Sequence, residues 1–191
     1  MPKNFLYFVW DLVKIVVISL AIIIPVRYFL IQPFYVQGSS MEPNFHNSEY
    51  LIIDEISYRF NDPQRGDVVV FKYPRNPQEF FIKRIIGLPG EKLKFKSGDI
   101  YVYNDMYERG VKLKEKYLPQ GVETGQSGSD IESVKLKEDE YYVLGDNRNA
   151  SRDSRSFGPI DESMIVGKVL FRGWPLDKME FFKNPRYQFE K

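Results

Sequence analysis

Cysteine is absent from the 191-residue chain, and histidine occurs once, at His46. These shortages exclude a disulfide framework, a thiol nucleophile, and a cysteine or multi-histidine zinc site. The residues from Asp146 to Arg155 hold two aspartates and two asparagines, yet Arg148 and Ala150 stand where a calcium loop needs oxygen ligands. No metal and no cofactor is expected. A surplus of one charge is missing too: 27 Lys and Arg are interspersed with 26 Asp and Glu, so no nucleic-acid footprint is written in the chain. If a serine acts as nucleophile here, its base is not expected to be histidine. His46 is a lone loop ring with no second imidazole to support it.

Aromatics, by contrast, make up 16% of the residues, and short Val/Ile/Tyr/Phe runs alternate with Gly, Pro, Asn and Asp. That pattern predicts a mostly β body with a single core. Expected strands are Phe34 to Val36, Glu49 to Ile53, Val68 to Phe71, Phe80 to Ile86, a hairpin over Leu93 to Tyr103, Tyr141 to Leu144, and Ile165 to Phe171. Pro89-Gly90 suits the centre of a type II turn. Residues 119–133, rich in Gly, Ser and Gln, read as a flexible surface excursion, and the tail 179–191 has no clear assignment.

One long apolar run precedes this body. Residues 12–31 are almost wholly apolar, and at about 1.5 Å per helical residue they reach roughly the 30 Å of a bilayer core. Lys14 and Arg27 lie near the ends, with aromatics on both flanks. A cleaved signal peptide is the rival reading, but bulky Phe29, Leu30, Ile31, Phe34 and Tyr35 occupy what would be its short polar cleavage region. A buried core helix is the other. The expected organisation is a short N-terminal segment 1–11, a transmembrane helix 12–31, a β-rich catalytic domain 32–178 and a tail. Basic residues gather before the span, with only Arg27 soon after it, which favours a cytoplasmic N-terminus.

Two side chains invite chemistry. Ser40 follows Gly38 and Ser39 at the end of an expected strand, and a serine in such a place commonly serves only the turn. Lys83 lies in Phe81-Ile82-Lys83-Arg84-Ile85, where strand alternation puts it on the face of Phe81 and Ile85 and sends Arg84 the other way. Desolvation there would pull its pKa from about 10.4 towards the range of about 7 to 8 useful to a base. An edge lysine with its ammonium in water is the alternative. In the segment 145–155, Asp146 or Asp153 is expected to pair with Arg148 or Arg155, leaving the Ser151 hydroxyl within reach of an amine.

Taken together, these segments resemble the type I signal peptidases. Ser40-Met41-Glu42-Pro43 is similar to the family's nucleophile box, Arg65 to Phe71 to its Gly-Asp strand, Lys83 to Glu91 to its lysine box, and Gly145 to Gly158 to its Gly-Asp-Asn-Arg box. The resemblance implies a signal-peptidase-like antiparallel β catalytic domain behind one transmembrane helix. It implies a Ser/Lys dyad of Ser40 and Lys83, with Ser151 orienting the lysine. The Ser40 backbone N–H would serve the oxyanion, and Asp146, Arg148, Asp153 and Arg155 would support the loop. Phe34, Val36, Gly38, Met41, Phe45, Phe81 and Ile82 would bind substrate. Gly38 stands where some members carry a serine, and Asn44-Phe45 replaces the usual Thr-Leu. The implied partners are secretory preproteins with small residues at the −1 and −3 positions, the lipid bilayer, and the secretion machinery by proximity. The implied location is the plasma membrane, crossed once, with the catalytic domain on the extracytoplasmic face. Rival readings are a Ser/Lys peptidase that processes a conjugation pilin and a non-catalytic, membrane-tethered peptide-binding β-domain. The self-cleaving repressors fit less well, since an apolar span stands where they carry a DNA-binding domain.

Overall fold

This computed structural model describes residues 3–29, 31–125, 133–183 and 188–190, with side chains described over 5–24, 33–125 and 133–183. Helix α1 (Lys3–Phe29) opens the chain and runs on through Pro25 without ending there. Its segment Phe5–Ile24 is long and apolar enough to cross a membrane, and none of it is buried in the protein. Helix and apolar segment both begin earlier than the run 12–31 expected from sequence. The reason is local: Asp11 and Lys14 form an ion pair of 2.8 Å one turn apart, so the charges do not interrupt the helix.

The body that follows is mostly β. Strands β1 (Ile31–Tyr35), β2 (Tyr50–Asp54), β3 (Val68–Tyr73) and β4 (Asn76–Gly87) lead to β5 (Lys92–Lys96), β6 (Asp99–Tyr103), β7 (Val111–Lys114) and β8 (Ser133–Lys135). Then come β9 (Glu140–Leu144), a helical turn α2 (Ser154–Phe157), β10 (Ile160–Asp161), β11 (Ile165–Trp174), β12 (Glu180–Phe181) and β13 (Gln188–Glu190). One sheet has the order β1-β2-β11-β3-β4-β9-β10, with β12 added on β11; the other has the order β13-β7-β6-β5-β8, and every pairing is antiparallel.

Strand β3 explains the layering. Val68, Val69, Val70 and Phe71 are all buried, because β3 sits in mid-sheet with apolar side chains packed against both faces. On one face Val68 and Val70 join Val36, Met41, Phe45, Leu51, Ile53 and Val169; on the other Val69 and Phe71 join Ile85, Tyr141, Val143 and Ile160. A third core, including Ile86, Leu93, Val102 and Leu136, lies under the second sheet. Phe34 on β1 and Phe80 on β4 have ring centroids 5.6 Å apart although three strands separate β1 and β4 in the sheet. The sheet therefore curls until those two strands face each other.

The described part of the excursion, 119–125, is tied to the body at its end. Thr124 is buried, its N–H donates to Gly98 O at 2.7 Å, and its hydroxyl accepts from Arg148. Gly125 O accepts from Arg155 at 2.9 Å. Positions 126–132 of that excursion lie outside the described residues. The tail also gains an assignment: β12 pairs with β11, and β13 with β7.

A buried ion pair ties the layers together. Arg84 donates to Asp146 twice, at 2.8 and 2.7 Å, and to Gly66 O at 2.9 Å. Asp146→Asn leaves that guanidinium charged and buried, and should cost roughly 3–5 kcal/mol. Asp99→Asn breaks the half-exposed Lys112–Asp99 contact of 2.7 Å and should cost under about 1 kcal/mol. Urea unfolding of the full chain in detergent, followed by tryptophan fluorescence, measures both.

Candidate active site

The chain between β1 and β2 forms a tight loop closed at its base. Val36 N donates to Glu49 O and Ser48 N to Val36 O, each at 2.9 Å, while Gly38 N donates to Asn47 Oδ1 at 2.9 Å. Gly38 has φ +90, a backbone shape that suits glycine and strains a serine. Next comes a turn in which Glu42 N donates to Ser39 O, and Asn44 N and Phe45 N donate to Met41 O. Met41 and Phe45, each 1% exposed, drop into the core and anchor it. Ser40 is left between them and the surface, half-buried, in the turn rather than at the end of β1.

Lys83 reaches this turn from β4. Its register partner on β3 is Val69, and its Nζ lies 5.4 Å from the Phe81 ring centroid, so it shares the apolar face that alternation assigns to it. Nζ stands 2.8 Å from Ser40 Oγ and donates to Ile82 O at 2.7 Å. The residue is 3% exposed. Burial pushes its pKa down to about 8; the negative charges of Asp153 and Asp146 pull upward and only partly offset this.

The segment after β9 packs against the same turn. Asn147 N donates to Ser40 O at 3.0 Å, and Asn147 Nδ2 to Ser39 O at 3.1 Å. A Cβ on Gly145 would lie 2.5 Å from Ser40 O and 2.1 Å from Ser151 Oγ, so glycine is required by close approach there. Asp153 pairs with Arg155 through two contacts of 2.8 Å and accepts from Gly145 N at 3.0 Å. Asp146 pairs not with an arginine of its own segment but with Arg84, and it also accepts from Asn44 Nδ2 at 2.9 Å. Arg148 turns to Glu115, at 2.8 Å. Ser151 Oγ is buried and makes no hydrogen bond among the described residues; the second contact of Nζ is the Ile82 carbonyl instead.

A groove of about 710 Å³ runs past this serine and lysine, and Phe34, Val36, Gly38, Phe81 and Ile82 line it together with Ser40 and Lys83. Met41 and Phe45, expected among the substrate contacts, do not line it. Their apolar side chains lie in the core under the turn. Sequence reasoning missed Asn147, Arg84 and Asn44. A buried arginine inside an apolar strand was the one available signal, and it named no partner.

The groove has two open edges. β1 pairs only with β2, and β9 pairs with β4 only from Arg84 to Gly87, so residues 76–83 have no strand on their second side among the described residues. An extended peptide can be added between them. Within the turn, Ser40 N–H donates to no acceptor among the described residues.

A family model described as signal peptidase, peptidase S26, matches residues 9–174. The chain is 38% identical over 176 residues to a probable signal peptidase I-2 of a Synechocystis species, spanning 88% of this chain and 75% of that protein. It is 33% identical over 183 residues to a signal peptidase IB of Staphylococcus aureus, spanning 89% of this chain and 92% of that one. A crystal structure of a signal peptidase I from Enterococcus faecalis, 32% identical, covers 57% of this chain and 97% of its own with a TM-score of 0.46. The extent of the family match and these two sequence identities place the chain in the signal peptidase family, peptidase S26.

Proposed function

We propose that this chain is a membrane-anchored serine endopeptidase that removes signal peptides from exported preproteins, with Ser40 as nucleophile and neutral Lys83 as base. The observation that carries the reading is a desolvated amine 2.8 Å from a serine hydroxyl, at the end of a groove with two open strand edges. Neutral Lys83 takes the Ser40 proton as Oγ attacks the scissile carbonyl, and the resulting ammonium returns the proton to the leaving amine. An acyl-enzyme on Ser40 remains until water, deprotonated by the same lysine, releases the peptide. The Ile82 carbonyl fixes one N–H of Nζ, which leaves the lone pair free to face Ser40.

The unbonded Ser40 N–H supports an oxyanion role, and with Gly38 beside it no side chain of that position contributes. Ser151 has a buried hydroxyl with no other commitment, so in this reading it holds Nζ once the Ser40 oxygen is engaged in the ester. Phe34, Val36, Phe81 and Ile82 form shallow apolar walls that suit small residues at −1 and −3. No described residue covers the exposed apolar helix Phe5–Ile24, and lipid is the environment that suits it. With a cytoplasmic N-terminus, one crossing puts the groove on the extracytoplasmic face, beside substrates that leave the secretion machinery.

Ser40→Ala and Lys83→Ala should each reduce cleavage of a secretory preprotein by the detergent-solubilised chain by at least about 1000-fold. Parental turnover in either variant would overturn the dyad. Because only neutral Lys83 is active, kcat/KM should rise through an apparent pKa of about 8 and level off above it; a rate still climbing at pH 10 contradicts this. The same shift has a cost in stability. Folded Lys83 holds its proton less tightly than the unfolded lysine at 10.5, so burial destabilises the fold fully below pH 8, by about 3 kcal/mol, and the cost disappears between pH 8 and 10.5. Lys83→Met should therefore exceed the parent in urea stability at pH 6.5, with the gap closing by pH 10.5.

A further inference from the structure

The family match ends at residue 174, yet a residue beyond it packs directly on the nucleophile loop. The Phe182 ring lies 4.6 Å from the Phe45 ring, centroid to centroid. Arg172, buried on β11, has its guanidinium carbon 5.5 Å from the Phe45 ring and 5.1 Å from the Phe182 ring. It donates to Asn44 O at 2.5 Å and forms an ion pair with Glu49 at 2.9 Å. Phe182 itself is fixed by its N–H, which donates to Leu170 O at 2.9 Å, immediately after the β11–β12 pairing of Arg172 with Glu180.

We infer that Phe182 and Arg172 form a clamp that positions the Ser40 turn, which makes the segment 180–182 part of the apparatus for the reaction proposed above. Glu49 and Asn44 bracket the loop on either side of Phe45. The Arg172 fork engages both, and the two rings cover its faces. Asn44 and Phe45 are in turn bonded to Met41 O, one residue from the nucleophile. On this side of the loop, away from the substrate groove, lies a cavity of about 370 Å³ lined by Pro43, Asn44, Phe45, Arg84, Arg172 and Phe182. Without Phe182 the loop borders open space, and the turn that carries Ser40 can relax into it. A displacement near 1 Å between reacting groups is enough to cost a large factor in rate. Phe182 does not line the groove, so substrate binding should be spared.

The test uses the full chain in detergent and a peptide with alanine at −1 and −3, at a temperature where circular dichroism shows every variant fully folded. Phe182→Ala should lower kcat by about 5- to 20-fold with KM within about twofold, and Phe182→Leu should restore most of the loss. Arg172→Lys, which keeps the charge but loses the fork, should also lower kcat, and it decides the matter if Phe182→Ala fails to fold. Parental kcat in Phe182→Ala or in Arg172→Lys, or a change confined to KM, overturns the clamp while leaving the proposed function standing. A parent chain that leaves the peptide uncut overturns the proposed function, and the clamp with it.

Discussion

Burial of the Lys83 amine is the constraint on which the arrangement around Ser40 turns: a lysine kept out of water holds its proton less tightly than one in solvent. Lys83 lies on the face shared with Phe81, and among the described residues its nitrogen makes hydrogen-bond contacts with Ser40 and the Ile82 carbonyl. Two carboxylates, Asp146 and Asp153, work against the depressed pKa, yet each is committed to an arginine of its own. Their pull is smaller than the effect of burial, so the pKa stays lowered.

Those pairs also do the mechanical work. Asp146 joins three parts of the chain: Arg84 on β4, Asn44 in the nucleophile loop, and its own segment after β9. Buried ion pairs of this kind contribute little net stability against an apolar alternative. What they supply here is a fixed relation between three segments distant in sequence. Asn147 and Gly145 extend the same contact to Ser39 and Ser40, so the Ser40 turn is held by the segment after β9 as well.

The groove owes its shape to sheet curvature. β1 and β4 are separated by three strands in pairing order, and curling brings Phe34 to Phe80 with two unpaired edges between them. An apolar helix joined directly to β1 ties that edge to whatever surrounds the helix. The likeness to the signal peptidases spans most of the chain, and the groove brings the buried Lys83 amine and Ser40 together beside these edges.

Much of this was legible along the chain. Alternation placed Lys83 with Phe81 and opposite Arg84, apolar runs marked β3 and β11, and the shortage of histidine and cysteine directed attention to lysine as a base. Such features are local, because side-chain direction and desolvation by sequence neighbours repeat at fixed short spacing. Other features were decided only in three dimensions: Arg84 as the partner of Asp146, the Ile82 carbonyl as the second contact of Nζ, Met41 and Phe45 as core anchors, Thr124 as an anchor of the excursion, and Phe182 against Phe45. Each joins segments far apart in sequence or depends on which of several similar groups arrives first at a buried polar atom. No periodicity encodes that choice; it is settled by how the curled sheet closes and by the need of every buried charge for a partner.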